Sequence, residues 1–253
     1  MELDFSEKGN AKISMIKYIC GVLEEFPEEI TGSVPTPYTD IIFTVRNEKY
    51  ATYLSEDRAM HFYRTTAHLI FLLQRARRDI QPAVDFLTTR AKKPDADDWG
   101  KLRRFLRYLN GTLNMELTLA VDNMSIVNWF VGSPYMTHMD CKVHVGGAIT
   151  LGKGAVISIS AKIKSNTKSS TETEIYGENH VLNTALWRNY LLEAQGYKIK
   201  HNIIHQDNQS CMRLQINGSL SSSGRTNHIK ARYYYITDKI EDGDIEVKYC
   251  PTD

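Results

Sequence analysis

The spacing of hydrophobic residues separates a first part of the chain with helical periodicity from a second part with strand-like alternation. A short hairpin and an amphipathic helix are predicted before Glu25, and a polar connector follows them. From Ser55, a predicted N-cap, apolar residues recur at helical spacing as far as Arg75. Two further helices are predicted between Pro82 and Gly111. The first part is therefore predicted to be mainly helical.

After Gly111 the hydrophobic period changes to two, which is typical of half-buried strands. The predicted strands are residues 115–119, 126–131, 146–150, 155–160, 201–205 and 245–249, and the predicted longer helices are residues 173–195 and 229–241. A further helix is predicted to start at Asp207. This order predicts an α/β fold, with an antiparallel hairpin beside parallel strands in a mixed sheet with flanking helices.

Composition and charge restrict the possible partners. Hydrophobic residues make up 42% and charged residues 24% of the 253 positions, which is ordinary for a folded protein. The formal net charge is +1, so any nucleic-acid partner would have to be held by local basic patches. No stretch approaches the roughly 20 apolar residues that a membrane-spanning helix needs, so no membrane partner is expected.

Cysteine usage predicts an intracellular protein. The four cysteines lie far apart without a C-x-x-C pair, and no apolar signal region precedes them. Reduced thiols are therefore expected. The sequence does not distinguish a cytoplasmic from a nuclear location, and it does not indicate an oligomeric state.

Two acidic residues in the second part are candidates for a metal site. Glu174 lies on the long predicted helix and Asp207 follows a predicted strand, so the two side chains can converge in an α/β layout. Converging carboxylates are the ligands with which two-metal sites hold magnesium and cleave phosphodiesters. A helix-start glutamate and a strand-end aspartate are also common without a metal, so their positions leave both interpretations open.

Four short motifs follow one another in the second part of the chain. They are S-S-T-E-T-E at residues 169–174, D-N-Q-S at 207–210, R-T-x-H-I with R-Y at 225–233, and Y-x-P-T at 249–252. Together, in this order and spacing, they resemble the RNase H domain of copia-type LTR retrotransposons. The resemblance implies an RNase H-like fold and hydrolysis of RNA in RNA–DNA hybrids during reverse transcription.

The first part of the chain carries motifs of the same family. They are R-x-D-I at residues 77–80, Trp99, and R-Y-L-x-G-T at residues 107–112, and they resemble the segment that joins the family's polymerase to its RNase H. The resemblance thus covers essentially the whole chain. It implies that residues 1–113 are an incomplete C-terminal reverse transcriptase or connection region. Residues 114–253 would then be an RNase H-like domain truncated at its C-terminus.

The resemblance implies a magnesium site of the D-E-D-D type, of which two members carry over. Glu174 matches the helix glutamate, with Glu172 as an alternative, and Asp207 matches the second aspartate. The first-strand motif aligns with residues 131–134, which places Gly132 where the aspartate that bridges the metal ions belongs. The fourth aspartate would lie beyond Asp253, where the sequence stops.

We therefore expect that magnesium binding and ribonuclease activity are impaired in this copy. Two other interpretations stay open, a non-catalytic remnant that still binds nucleic acid and an incomplete gene model of an active reverse transcriptase with RNase H. Residues expected to contact an RNA–DNA hybrid are Lys142, Lys162, Lys164, Lys168, Arg225 and His228. The four lysines are equally typical of an ordinary protein surface.

Overall fold

A computed structural model describes residues 1–134, 137–140, 142–218 and 230–251 of the chain. The chain divides into two compact units, Met1–Leu119 and Ala120–Asp253. Each unit is described by itself.

The first unit consists of a β-hairpin and four α-helices. These elements are β1 (Glu2–Asp4), β2 (Asn10–Ser14), α1 (Ile16–Glu25), α2 (Glu56–Arg75), α3 (Gln81–Arg90) and α4 (Ala96–Gly111). The N-caps explain where two helices begin. The Ser55 hydroxyl accepts from the Arg58 amide at the start of α2, and Asp95 forms a reciprocal capping box with Asp98 at the start of α4. The mainly helical character predicted for this part is confirmed.

A buried ion pair joins the segment after α2 to the end of α4. Arg77 is only 1% exposed, and its Nε and Nη2 donate to the two carboxylate oxygens of Asp79 at 2.9 and 2.8 Å. The same guanidinium donates to the carbonyl and the hydroxyl oxygen of Thr112 at 3.0 and 2.9 Å. The Tyr108 hydroxyl also donates to Asp79, at 2.8 Å. The R-x-D-I and R-Y-L-x-G-T motifs therefore have a structural role, because their polar residues satisfy one another.

The second unit is built on a five-stranded mixed sheet in the order β7-β5-β4-β8-β9. Its elements, together with β3 at the boundary between the units, are β3 (Leu117–Val121), β4 (Ile126–Gly132), β5 (Lys142–Thr150), β6 (Gly152–Lys153), β7 (Ile157–Asn166), α5 (Ser170–Ala194), β8 (His201–Gln206), α6 (Gln209–Asn217), α7 (Lys230–Glu241) and β9 (Glu246–Tyr249). Strands β4, β5 and β7 are antiparallel, whereas β8 lies parallel to both β4 and β9. The predicted α/β fold class, with a mixed sheet and flanking helices, is confirmed.

Helix α5 covers one face of this sheet. Side chains from β4, β5 and β8 form a common core with Val181, Leu182 and Ala185 of α5. The helix approaches the end of β4 closely at Gly177, where an added Cβ would lie 1.8 Å from the Ser133 Oγ. A side chain at this position would therefore force the Ser133 side chain or the helix to shift. No helix in the described parts of the chain is long and apolar enough to span a membrane.

Candidate active site

The carboxyl group of Glu174 faces the end of the central strand β4. Its Oε1 accepts a hydrogen bond from the backbone amide of Ser133 at 3.1 Å, and Ser133 directly follows Gly132, the last residue of β4. The Glu174 side chain is largely buried, with 8% of its surface exposed. Helix α5 therefore brings this carboxyl group to the strand end at which the sequence predicts a metal site.

Glu172, the alternative candidate, makes a different contact. Its Oε2 accepts from the backbone amide of Lys168 at 2.7 Å, while its own amide donates to the Ser169 hydroxyl at 3.2 Å. Glu172 therefore satisfies free amide groups at the start of α5, as a capping residue does. This geometry supports the choice of Glu174 over Glu172, although the chemical role of either residue remains a prediction.

Asp207 lies at the same edge of the sheet as the end of β4. It follows Gln206, the last residue of β8, and β8 runs parallel to β4. Helix α6 begins directly afterwards, where the Asn208 side chain accepts from the Cys211 amide at 3.0 Å. Parallel neighbouring strands end at the same edge, so the fold brings Asp207 and Glu174 toward one another.

Burial changes the acidity of this site. Loss of solvent raises the pKa of Glu174 to about 7. The negative charge of Asp207 also raises this pKa, whereas the hydrogen bond from the Ser133 amide lowers it. Two buried oxygens, Glu174 Oε2 and Ser133 Oγ, have no hydrogen-bond partner among the described residues. The edge thus retains acceptor atoms, but Glu174 is only partly ionised at neutral pH.

Glu178 is a third acid at this edge and, after Glu174, the second buried one; the sequence analysis missed it. It is 1% exposed, and its Oε1 accepts from Gln206 Nε2 at 2.5 Å, while its Oε2 accepts from Gln215 Nε2. Burial raises its pKa to about 7, against the opposing effect of these two hydrogen bonds. Its spacing of four residues from Glu174 was an available signal, because that spacing places both on one helix face.

Gly132 contributes no side chain at the position where the resemblance implies a metal-bridging aspartate. It pairs with Gly146 of β5, and a Cβ added to it would meet no atom of the described residues within 4 Å. The neighbouring Asp140 carboxylate is held elsewhere, by Lys142 at 3.2 Å and Lys162 at 2.9 Å. The strand end therefore has room for an aspartate but does not carry one.

The residues at this edge do not fit a two-ion magnesium centre. Within residues 1–134, 137–140, 142–218 and 230–251, no group of three or more His, Cys, Asp or Glu residues is arranged to hold a metal ion. The unpartnered Oε2 of Glu174 could accept from one cation. Magnesium prefers octahedral oxygen coordination, and a two-ion site needs a carboxylate between the ions, which Gly132 does not supply.

The candidate nucleic-acid residues fall into three groups. Lys142 and Lys162 both bind the Asp140 carboxylate. Lys164 on β7 and Lys168 before α5 are exposed, and neither makes an ion pair in the described part of the chain. The two remaining candidates, Arg225 and His228, lie outside the described residues.

The second unit is an α/β domain in which helices flank a five-stranded mixed sheet in the order β7-β5-β4-β8-β9. No protein-family model matches the chain. It is similar to LC11-RNase H1, isolated from compost by a metagenomic approach, with a TM-score of 0.39 and 14% identity over 51% of this chain and 86% of that one. It is also similar to RNase H1 of Halobacterium salinarum NRC-1, with a TM-score of 0.34 and 13% identity over 50% of this chain and 86% of that one.

Curated sequence relatives are polyproteins of plant transposons. The chain is 25% identical over 239 residues to the retrovirus-related Pol polyprotein from transposon TNT 1-94 of Nicotiana tabacum, covering 93% of the chain. It is 28% identical over 192 residues, 75% of the chain, to that from transposon RE2 of Arabidopsis thaliana. The chain spans 18% and 13% of the length of these relatives. It is thus distantly homologous to copia-type Pol polyproteins over most of its length, which confirms the resemblance stated above.

Proposed function

We propose that the second unit derives from the ribonuclease of a copia-type Pol polyprotein and does not cleave RNA in this copy. In this proposal residues 1–113 correspond to the C-terminal reverse transcriptase or connection region, and residues 114–253 correspond to the RNase H-like domain. The distant homology to Pol polyproteins supports this assignment.

The absence of a side chain at Gly132 is the observation that carries the proposal. Glu174 faces the strand end that Gly132 terminates, so a carboxylate there would lie beside Glu174. The raised pKa of Glu174 weakens the site further, because a partly protonated carboxyl group is a poor cation ligand. In this proposal, Glu174 and Asp207 are the remaining members of the family's metal-binding set.

A cleavage assay tests the proposal directly. The purified chain is incubated with a labelled RNA–DNA hybrid and either magnesium or manganese, beside a Glu174→Gln variant prepared in parallel. We expect equal product in both samples, at the level of the buffer control, because neither protein assembles the two-ion site. Cleavage by the unaltered chain that the Glu174→Gln variant lacks would contradict the proposal.

A second candidate function is binding of an RNA–DNA hybrid without cleavage. One of the similar solved structures, LC11-RNase H1, is described in complex with an RNA/DNA hybrid, with a TM-score of 0.36 and 12% identity to this chain. The observation in favour is the pair of exposed amines of Lys164 and Lys168, which carry no counter-charge from the described residues. Titration of hybrid binding against salt concentration separates this function from an inert remnant, because phosphate contacts weaken as salt rises.

A further inference from the structure

We propose that His138 and His144 form a binding site for a late first-row divalent transition-metal ion, with Cu²⁺ bound most tightly. The two imidazoles lie close together, with His138 Nε2 and His144 Nδ1 separated by 3.1 Å. None of the carboxyl groups of the candidate active site takes part. The proposal is independent of the proposed function.

The strand pattern places this pair on the sheet face opposite to α5. His144 lies in β5 between Val143 and Val145, and both valines belong to the core that α5 covers. Successive side chains of a strand point to opposite faces, so the His144 ring projects from the other face. His138 comes from the loop that follows β4 and tilts against that ring, with the ring centroids 5.3 Å apart.

The separation of the two nitrogens suits a shared metal ion. If one metal ion bound both nitrogens through bonds of about 2.05 Å, the observed 3.1 Å between them would give a nitrogen–metal–nitrogen angle of about 100°. This angle lies between the square-planar and the tetrahedral value. The metal would replace the proton that now lies between the two nitrogens, and His138 would carry its proton on Nδ1 instead.

The His144 ring is held in one orientation by its second nitrogen. Its Nε2 lies 2.8 Å from the Ser160 hydroxyl of β7, which is the kind of outer contact that orients metal-binding histidines. When Nε2 carries the proton toward Ser160, Nδ1 presents its lone pair to the site.

Charges around the pair favour some metals over others. Lys142 and Lys162 are nearby cations, but both bind Asp140, which offsets part of their charge. The remaining positive charge opposes the binding of any divalent ion, so the ion with the strongest bond to imidazole is expected to bind best, and Cu²⁺ leads the series in that respect. Magnesium, which takes oxygen ligands, is not expected to bind here.

Copper binding to the untagged full chain tests the proposal. We expect one tight equivalent of Cu²⁺ by calorimetry, with coupling to two nitrogen nuclei in the electron paramagnetic resonance spectrum. His138→Gln and His144→Gln should each lower the affinity at least tenfold and remove the two-nitrogen signal. His180→Gln, which alters an exposed histidine on α5, is the matched control and should leave the binding unchanged.

The role of Ser160 gives a second readout. Ser160→Ala should weaken copper binding by about 10- to 100-fold, the usual effect of removing an outer partner, while both imidazoles remain. If His144→Gln does not fold, His138→Gln carries the test, because His138 is a half-buried loop residue. Copper affinity and spectrum equal in the unaltered chain and in His138→Gln would overturn the proposal, as would loss of binding in His180→Gln.

Discussion

The two units bury ionisable groups in opposite ways. In the first unit, Arg77 is almost fully enclosed, and Asp79 accepts from its guanidinium through both carboxylate oxygens. In the second unit, Glu174 and Glu178 are enclosed to a similar degree, and neither has a cationic partner among the described residues. Burial raises the pKa of both glutamates to about 7.

This difference separates a charge network in which every group has a partner from a cluster of buried carboxyl groups without a cation. A buried charge with a complete set of partners contributes to the fold, because its desolvation is offset by hydrogen bonds and ion pairing. Buried carboxyl groups without a cation are costly, and such groups cluster where a site once had to bind something. The polar residues of the first-unit motifs thus satisfy one another, whereas a functional role for the carboxyl groups of the second unit stays a prediction.

The largest expected effect comes from breaking the complete network. Asp79→Ala leaves the Arg77 guanidinium buried without a counter-charge, with its Thr112 contacts and the Tyr108 ring, so we expect the free energy of unfolding to fall by about 3–5 kcal/mol. Urea unfolding measures this loss. Glu24→Ala, at an exposed position of α1, is the control and should change the free energy by less than about 0.5 kcal/mol. Equal losses in both variants would remove the contrast between the two units.

The second prediction concerns the pH dependence of the incomplete site. Because Glu178 has a raised pKa when folded, the folded state holds its proton between pH 4.5 and about 7, where the unfolded chain has lost it. Stability should therefore fall as pH rises through this range, by on the order of 3 kcal/mol for Glu178. Urea unfolding at pH 5, 6, 7 and 8 measures how the free energy of unfolding changes with pH. The Glu178→Gln variant should show a smaller change. A slope unchanged by that variant would contradict the assigned protonation.

How far the fold and site follow from the sequence can be judged from particular residues. The helices α2 and α4 follow from periodicity and from the caps Ser55 and Asp95, which act within a few residues of the chain. The buried contact between Glu178 and Gln206 joins positions 28 residues apart, and the choice of Glu174 over Glu172 depends on the Ser133 amide 41 residues away. Such contacts depend on tertiary packing, so local patterns do not predict them.

The third prediction is a gain of metal binding. Gly132→Asp places a carboxylate beside Glu174, where an added Cβ meets no described atom within 4 Å, so we expect manganese affinity to rise at least tenfold. Calorimetric titration measures the affinity. Adding Glu174→Gln to this variant is the matched control and should return the affinity to that of the unaltered chain. If Gly132→Asp folds and binds no more manganese, the alignment of residues 131–134 with the first-strand motif is wrong.

The smallest expected effect compares lysines of the second unit that pair with Asp140 with lysines that make no ion pair among the described residues. If the unit binds an RNA–DNA hybrid, Lys164→Ala and Lys168→Ala should each weaken binding and lower the slope of log affinity against log salt by about 0.9, one phosphate contact each. Lys142→Ala is the matched control, because Asp140 already pairs with that amine and offsets part of its charge, and it should change the slope by less than half as much. Binding measured by fluorescence anisotropy at four salt concentrations gives all three slopes. Equal slopes for the unaltered chain and the Lys164 and Lys168 variants would show that these amines do not contact phosphates, and the unit would then be inert toward the hybrid at this surface.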